Sequence, residues 1–332
     1  MKILYSFDKE AEKEFVSRAL SDYDVVFHPG SLQDGIWSGN GIECLCIFVD
    51  SKVGKEEFDK LPDLKLVATR STGYDHVDVE EAKKRGIAVA NVPTYGEHTV
   101  AEFAFALLLT ISRKIFEARK RVIETGSFSS EGLMGFDLKG KTIGVVGTGN
   151  IGKNLIKIAR GFEMNILAFD IHEDQEFAEK MGFKYVSLSD LFKESDVISL
   201  HLPENEHTHH LINKDKLAEM KPGVVIVNTA RGGLIDTEAL VEGLEKGIIG
   251  GVGLDVLSEE GYVADEIKLI GKPHPQEEQL KNLLMNHYLI DHPRVIITPH
   301  TAFNTKEAMG RILGVTIDNI KSFFAGAPKN TV

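Results

Sequence analysis

Three stretches of the chain each pass from apolar residues to a polar residue capable of chemistry. Asn228-Thr229-Ala230-Arg231-Gly232-Gly233 follows a strictly apolar run, Leu254-Asp255-Val256-Leu257-Ser258-Glu259-Glu260 ends in acidic residues, and Val295-Ile296-Ile297-Thr298-Pro299-His300-Thr301-Ala302 ends in a histidine. An arginine fork matches a carboxylate bidentately. A protonated imidazole donates a proton to a forming alkoxide, and a neighbouring carboxylate keeps that imidazole charged and aimed. Arg231, Glu260 and His300 together therefore suffice to reduce a 2-keto acid, and His300 is the base in the reverse direction. Taken singly, Glu260 and His300 read rather as solvent-facing loop residues, while for Arg231 the functional reading is favoured over that of a salt-bridged surface arginine. Spacing along the chain does not establish that they meet, although Gly232 and Gly233 predict a close approach to the backbone beside Arg231.

A fourth stretch, Gly147-Thr148-Gly149-Asn150-Ile151-Gly152, follows the apolar run Thr142 to Val146 and opens the amphipathic stretch Lys153 to Gly161. This is G-x-G-x-x-G between a strand and a helix, the dinucleotide-binding pattern: Gly147 for a tight turn, Gly149 for approach to a pyrophosphate, Gly152 for close packing of helix on strand. The helix N-terminus offers free N–H groups and partial positive charge to the phosphates. Asp170, closing the next strand, is placed to accept hydrogen bonds from the adenosine ribose. It would repel a 2′-phosphate, and Ile171 and His172 bring no arginine to receive one, so NAD is expected over NADP. The competing reading is a glycine turn and a strand-ending aspartate with no ligand.

The elements that must position these residues read as an α/β pattern, short apolar runs alternating with amphipathic stretches. Strands are expected at Lys2 to Phe7, Asp24 to His28, Cys44 to Val49, Lys65 to Thr69 and Ile87 to Asn91, forming one open sheet. Six more are expected at Lys141 to Val146, Asn165 to Phe169, Asp196 to Leu200, Gly223 to Asn228, Gly250 to Val256 and Val295 to Thr298, forming a dinucleotide-binding sheet. His98 to about Ile123 reads as one helix, buried through its apolar stretch Val100 to Leu109 between domains or subunits, with His98 at its start and no catalytic role. Ser258 to Pro293 reads as a polar surface excursion holding one helix around Gln276 to Asp291. From Thr305 onward, apolar residues at helical spacing predict a last helix packed back on the first domain.

At 332 residues the chain exceeds a comfortable single core, so two domains are expected. The net charge of −12 disfavours nucleic acid and membrane surfaces as partners and requires a local positive site for any anionic substrate. Two cysteines, Cys44 and Cys46, exclude a disulfide framework and read as buried thiols rather than metal ligands. No apolar run reaches the length of a membrane span and the N-terminus lacks a signal-like stretch, which predicts a cytoplasmic protein. His207, His209 and His210 read as a solvated loop after Pro203.

With these residues in view, the chain resembles the D-isomer-specific 2-hydroxyacid dehydrogenases, most of all their D-lactate group. The motifs that carry the likeness are Arg70-Ser71-Thr72-Gly73, Pro93-Thr94-Tyr95, Val100-Ala101-Glu102, Gly147 to Gly152, Asn228 to Gly232, Leu254 to Glu260, and Pro299-His300-Thr301-Ala302-Phe303. The resemblance implies a Rossmann-type NAD-binding domain, residues 100–299, inserted into a smaller flavodoxin-like substrate domain, residues 1–99 and 300–332. It implies a homodimer and a cleft where Arg231, Glu260 and His300 converge. By the same likeness the backbone at Thr72 and Gly73 binds the substrate carboxylate, and Tyr95 and Phe303 border a pocket for a small or apolar substituent. Asn150, Ile151, Leu202, Pro203, Thr208, Thr229, Ala230 and Asp255 stand where members touch NAD, Asp255 near the nicotinamide. Gly96-Glu97-His98 and Asn304 depart from the lactate pattern and leave the substrate open. A glyoxylate or hydroxypyruvate reductase is the nearest rival, a phosphoglycerate enzyme with an added regulatory domain is disfavoured by the end at Val332, and Glu260 argues against a formate-type enzyme. A non-catalytic NAD-sensing scaffold is the rival from another class.

Overall fold

The computed structural model describes residues 1–7, 10–258 and 277–332. The chain divides into two compact units, Met1–Tyr95 with Asn304–Val332, and Gly96–Phe303.

In the first unit, β1 (Lys2–Phe7), β2 (Asp24–Pro29), β3 (Ile42–Ile47), β4 (Leu66–Thr69) and β5 (Ala88–Ala90) form a parallel sheet in the order β2-β1-β3-β4-β5. Its inner strands are buried along nearly their whole length, which is why they read as unbroken apolar runs rather than alternating ones. The last helix, Lys306–Phe324, is capped by the Thr305 hydroxyl and buries Ile317 and Ile320 with Ile3, Tyr5, Cys44 and Cys46. Both thiols are fully buried, and desolvation pushes their pKa upward.

The second unit holds β6 (Thr142–Val146), β7 (Asn165–Phe169), β8 (Lys184–Tyr185), β9 (Val197–Leu200), β10 (Val224–Asn228), β11 (Ile249–Leu254) and β12 (Val295–Ile297), all parallel, in the order β12-β11-β10-β9-β6-β7-β8. The sheet therefore has seven strands, not six: β8 is a two-residue edge strand, too short to show a period of two. Its order reverses between β6 and β9, the switch point at which open α/β sheets bind ligands beyond their carboxyl ends.

The expected single helix from His98 is two, Glu97–Arg113 and Ile115–Thr125, separated by Lys114 in the left-handed region at φ 50°. No glycine or proline marks the break. Val100, Ala104, Phe105, Leu107 and Leu108 of the first helix are buried. They pack within this unit: Gly251 and Gly253 of β11 leave room for Ile111 and Leu107, where an added Cβ would stand 2.6 Å from Ile111 Cγ2 and 3.0 Å from Leu107 Cβ. No helix among the described residues is long and apolar enough to cross a membrane.

Candidate active site

Three neighbouring strand ends build the chemical end of the site. Beyond β10, the fully buried Asn228 braces the turn by accepting from Ala230 N at 2.9 Å on Oδ1 and donating through Nδ2 to Arg231 O at 2.8 Å. Arg231 is thereby held extended at φ −144°, with its Nη1 donating to Ala230 O at 2.7 Å. The close approach expected at Gly232 and Gly233 is made by the chain itself. A Cβ at Gly232 would overlap the backbone of Leu257 and Ser258, and one at Gly233 would overlap the Glu204 carboxylate. The backbone that leads toward Glu260 thus leaves β11 against the arginine turn; Glu260 itself lies outside the described residues.

Asp255 closes β11 and His300 follows β12. Asp255 N donates to Asn228 O at 2.9 Å, and His300 N to Asp255 O at 2.8 Å, which ties the three strand ends side by side. The Asp255 carboxylate, 1% exposed, faces the histidine turn. Oδ1 accepts from Thr298 Oγ1 at 2.6 Å and Thr301 N at 2.9 Å, and Oδ2 from Ala302 N at 2.8 Å. Desolvation raises the Asp255 pKa, opposed by these hydrogen bonds and by the charge of His300. A buried carboxylate needs donors, and this turn supplies three of them. They also hold His300 at φ 47°, a region that L residues rarely adopt.

At the other end of the row, Gly147 sits at φ 95°, and a Cβ there would stand 2.6 Å from His201 O. A Cβ at Gly152 would overlap Gly147 O, so the helix Asn150–Gly161 starts pressed onto the turn. Asn150 and Ile151 occupy its first turn, and no side chain caps it. Asp170 ends β7. Its Oδ2 accepts from Thr148 N at 2.6 Å and Thr148 Oγ1 at 3.1 Å, its Oδ1 from His172 N at 2.9 Å. Burial opposes ionisation of Asp170, but these hydrogen bonds outweigh it and hold the carboxyl below its usual range. Between the ends, Leu202 and Pro203 follow β9, and Thr208 closes their loop by donating to Pro203 O at 2.7 Å and accepting from Asn205 N at 2.8 Å. His209 and His210 stack at 3.9 Å in the same loop, with His209 Nδ1 3.0 Å from Glu204 Oε1.

Along one sheet edge, then, lie His300, Asp255, Thr229 to Arg231, Leu202 with Pro203, the glycine turn and Asp170, one strand end after another at roughly 5 Å per strand. Residues 105–302 match the family model for the D-isomer specific 2-hydroxyacid dehydrogenase, NAD binding domain. The chain belongs to that family. A D-lactate dehydrogenase of Escherichia coli (strain K12) is 39% identical over 291 residues, 87% of this chain and 85% of the relative. A glyoxylate reductase of Thermococcus litoralis is 38% identical over 299 residues, 88% and 83% of the two chains. Among solved structures, D-lactate dehydrogenase from Aquifex aeolicus complexed with NAD and lactic acid superposes with a TM-score of 0.88 at 33% identity, covering 98% of this chain and 96% of that one. This dehydrogenase is therefore an NAD-dependent oxidoreductase of the CH–OH group of 2-hydroxy acids, with a parallel α/β architecture and a Rossmann-type NAD-binding domain.

The second unit fits a dinucleotide on its own geometry. A Cβ at Gly149 would meet nothing within 4 Å, so that glycine faces open space at the helix N-terminus. Among the described residues the buried Thr229 Oγ1 has no hydrogen-bond partner. Oδ1 of Asp170 accepts one hydrogen bond and keeps a lone pair for a ribose hydroxyl.

Thr148 and Tyr185 support Asp170 and escaped the sequence reading. A carboxylate only accepts, so Thr148 Oγ1 donates to Asp170 and must accept from the Tyr185 hydroxyl 2.9 Å away, which in turn accepts from Asp174 N at 3.1 Å. Thr148 is a variable position inside the glycine motif and Tyr185 lies on the strand too short to predict, so only the motif's neighbourhood signalled them.

The first unit places Thr72 and Gly73 just beyond β4, and Tyr95 beyond β5 with its carbonyl accepting from Arg311 Nε. Phe303 is half-buried at the end of the second unit.

Proposed function

We propose that this dehydrogenase reduces pyruvate, or a 2-keto acid of similar size, to the D-2-hydroxy acid with NADH, as a D-lactate dehydrogenase. The observation that carries the reading is the side-by-side delivery of Arg231 and His300 by strand ends tied through Asp255. Bound NADH supplies the hydride. Arg231 receives the substrate carboxylate, His300 gives its ring proton to the oxygen that becomes the hydroxyl, and Glu260 keeps that ring protonated and aimed. The amides of Thr72 and Gly73 are further carboxylate donors, and Tyr95 and Phe303 border the substituent. Gly149, Asn150, Ile151, Leu202, Pro203, Thr229 and Ala230 line the dinucleotide, while Thr208 shapes the Leu202–Pro203 loop.

NADH oxidation with a panel of pyruvate, phenylpyruvate, 2-ketoisocaproate, oxaloacetate, glyoxylate and hydroxypyruvate tests the substrate. Pyruvate should give the highest kcat/KM; tenfold higher values with glyoxylate or hydroxypyruvate would replace this reading with the rival one.

Asp170 selects NAD through the oxygen that Thr148 leaves available. Asp170→Ala is expected to weaken NADH binding, read by fluorescence titration, and to narrow the NADH over NADPH preference about tenfold, the equivalent of one charge-assisted hydrogen bond. Unchanged discrimination would show that another group reads the ribose.

The working unit is a homodimer in this reading. The helix Ile115–Thr125 buries none of its residues, and Ile115, Phe116, Ile123, Phe128 and Met134 are exposed, Phe128 to 89% and Met134 to 88%. Exposed apolar side chains gathered on one helix and the segment after it support an interface there. Light scattering should give twice 36.7 kDa, with Phe116→Asp shifting it toward one chain; a monomeric mass for the unaltered protein would refute the dimer.

A further inference from the structure

In the first unit, the loop Arg70-Ser71-Thr72-Gly73 turns its carbonyl groups onto the chain behind it. Ser71 O accepts from Val92 N at 2.9 Å, Thr72 O from Asn91 Nδ2 at 2.8 Å, and Gly73 O from Ser71 Oγ at 2.6 Å. A peptide group is planar and trans, so its N–H points opposite its C=O. Pulling the Ser71 carbonyl back therefore pushes the Thr72 N–H forward, and pulling the Thr72 carbonyl back pushes the Gly73 N–H forward. No described residue accepts from either N–H, and Thr72 is exposed while Ser71 is buried. Two adjacent amides thrust toward solvent form an anion-binding concavity.

Of the two tethers, one is backbone and the other is a side chain, Asn91. That residue is buried, its backbone is held from two directions, and the two residues that hold it are bonded to each other. Asn91 N donates to Asn330 O at 3.1 Å, Asn91 O accepts from Asn319 Nδ2 at 2.7 Å, and Asn319 Oδ1 accepts from Asn330 Nδ2 at 2.8 Å. Asn319 is 1% exposed. The strand pairing continues outward, with Ala90 bridged to Thr331 and Val332 N donating to Val89 O at 2.9 Å. At its centre the Asn319 side chain both gives and accepts, which an amide does with fixed geometry. Hydrogen-bonded amides with Asn91 and Asn319 buried make a rigid support.

We propose that Asn91 is a positioning residue for the reaction: it aims the Gly73 N–H at the substrate carboxylate, and Asn319 and Asn330 hold Asn91 in place. The inference rests on the reading of Thr72 and Gly73 as carboxylate donors and extends it to residues that touch no substrate. The C-terminal segment thereby sets the affinity for the carboxylate from behind the loop.

The test compares pyruvate with pyruvamide, which keeps the ketone and lacks the carboxylate charge. Asn91→Ala should raise KM for pyruvate about tenfold, the effect of one misaimed hydrogen bond to a charged group, and leave kcat, KM for pyruvamide and NADH binding by fluorescence near the unaltered values. Asn330 is exposed and stands at φ 51°, so Asn330→Ala is paired with Asn330→Gly, which accepts that backbone conformation, and both should move KM for pyruvate in the same direction by about threefold. Equal losses on both substrates, or no shift in any variant, would overturn the proposal. If Asn91→Ala does not fold, the two Asn330 variants decide alone. An unaltered enzyme that fails to prefer pyruvate over pyruvamide would overturn the carboxylate reading of the loop, a result distinct from failure of the ladder.

Discussion

Replacing His300 by alanine is expected to lower kcat for keto-acid reduction by about three orders of magnitude, within the range contributed by a positioned proton donor, while the NADH dissociation constant stays within about twofold. The turn survives the change because the imidazole does not build it. Its shape comes from His300 N donating to Asp255 O and Thr298 O, and from the Asp255 carboxylate holding Thr298, Thr301 and Ala302. Cofactor affinity survives because β12 is separated from the glycine turn on β6 by β11, β10 and β9. Steady-state kinetics beside fluorescence titration separates the two effects. Near-normal turnover would remove His300 from the chemistry, and a parallel loss of NADH binding would assign it to the cofactor.

Arg231→Gln is expected to reduce kcat/KM for pyruvate about a hundredfold to a thousandfold, mainly through KM, because truncating one partner of a desolvated charge pair costs about 2–5 kcal/mol. Glutamine keeps the Cβ to Cδ stem and one amide donor group but not the guanidinium, and the turn remains because the Asn228 side chain braces it through backbone groups. Lysine should rescue only in part: a point charge does not reproduce a planar fork. An Arg231→Gln enzyme with unaltered KM and lowered kcat would place the guanidinium on the reacting oxygen instead of the carboxylate.

How far the sequence carried these assignments differed by residue. The strands that hold the site were legible because parallel strands buried on both faces are continuous apolar runs, and Lys2–Phe7 and Val224–Asn228 stand where those runs predict. β8 was not legible, since two residues carry no period. The break at Lys114 was invisible for another reason: a lysine adopts the left-handed region there without the glycine or asparagine that ordinarily announces it.

Within the site, the glycine turn and Asp170 could be read because local spacing encodes the whole device. The support Asp255 gives the histidine turn was not legible, because an acidic residue at a strand end looks the same whether it meets a ligand or the chain. Its donors, Thr298, Thr301 and Ala302, lie more than forty residues along the sequence, with |i−j| of 43, 46 and 47. Asn91, Thr148 and Tyr185 are single polar residues whose roles exist only through partners brought by folding; Asn319 is 228 positions from the carbonyl it meets. Gly232 illustrates the converse, a correct expectation of close approach whose partner proved to be the backbone at Leu257 and Ser258.

The central claim is that Arg231 takes the carboxylate while His300 faces the carbonyl oxygen. A crystal structure with NADH and oxamate, a pyruvate analogue that is not reduced, tests it most directly. The account predicts the oxamate carboxylate paired with the Arg231 guanidinium and its amide oxygen within hydrogen-bond reach of the His300 ring, roughly 2.6–3.2 Å. An oxamate carboxylate turned away from Arg231, or an imidazole directed elsewhere with the cofactor bound, would contradict it.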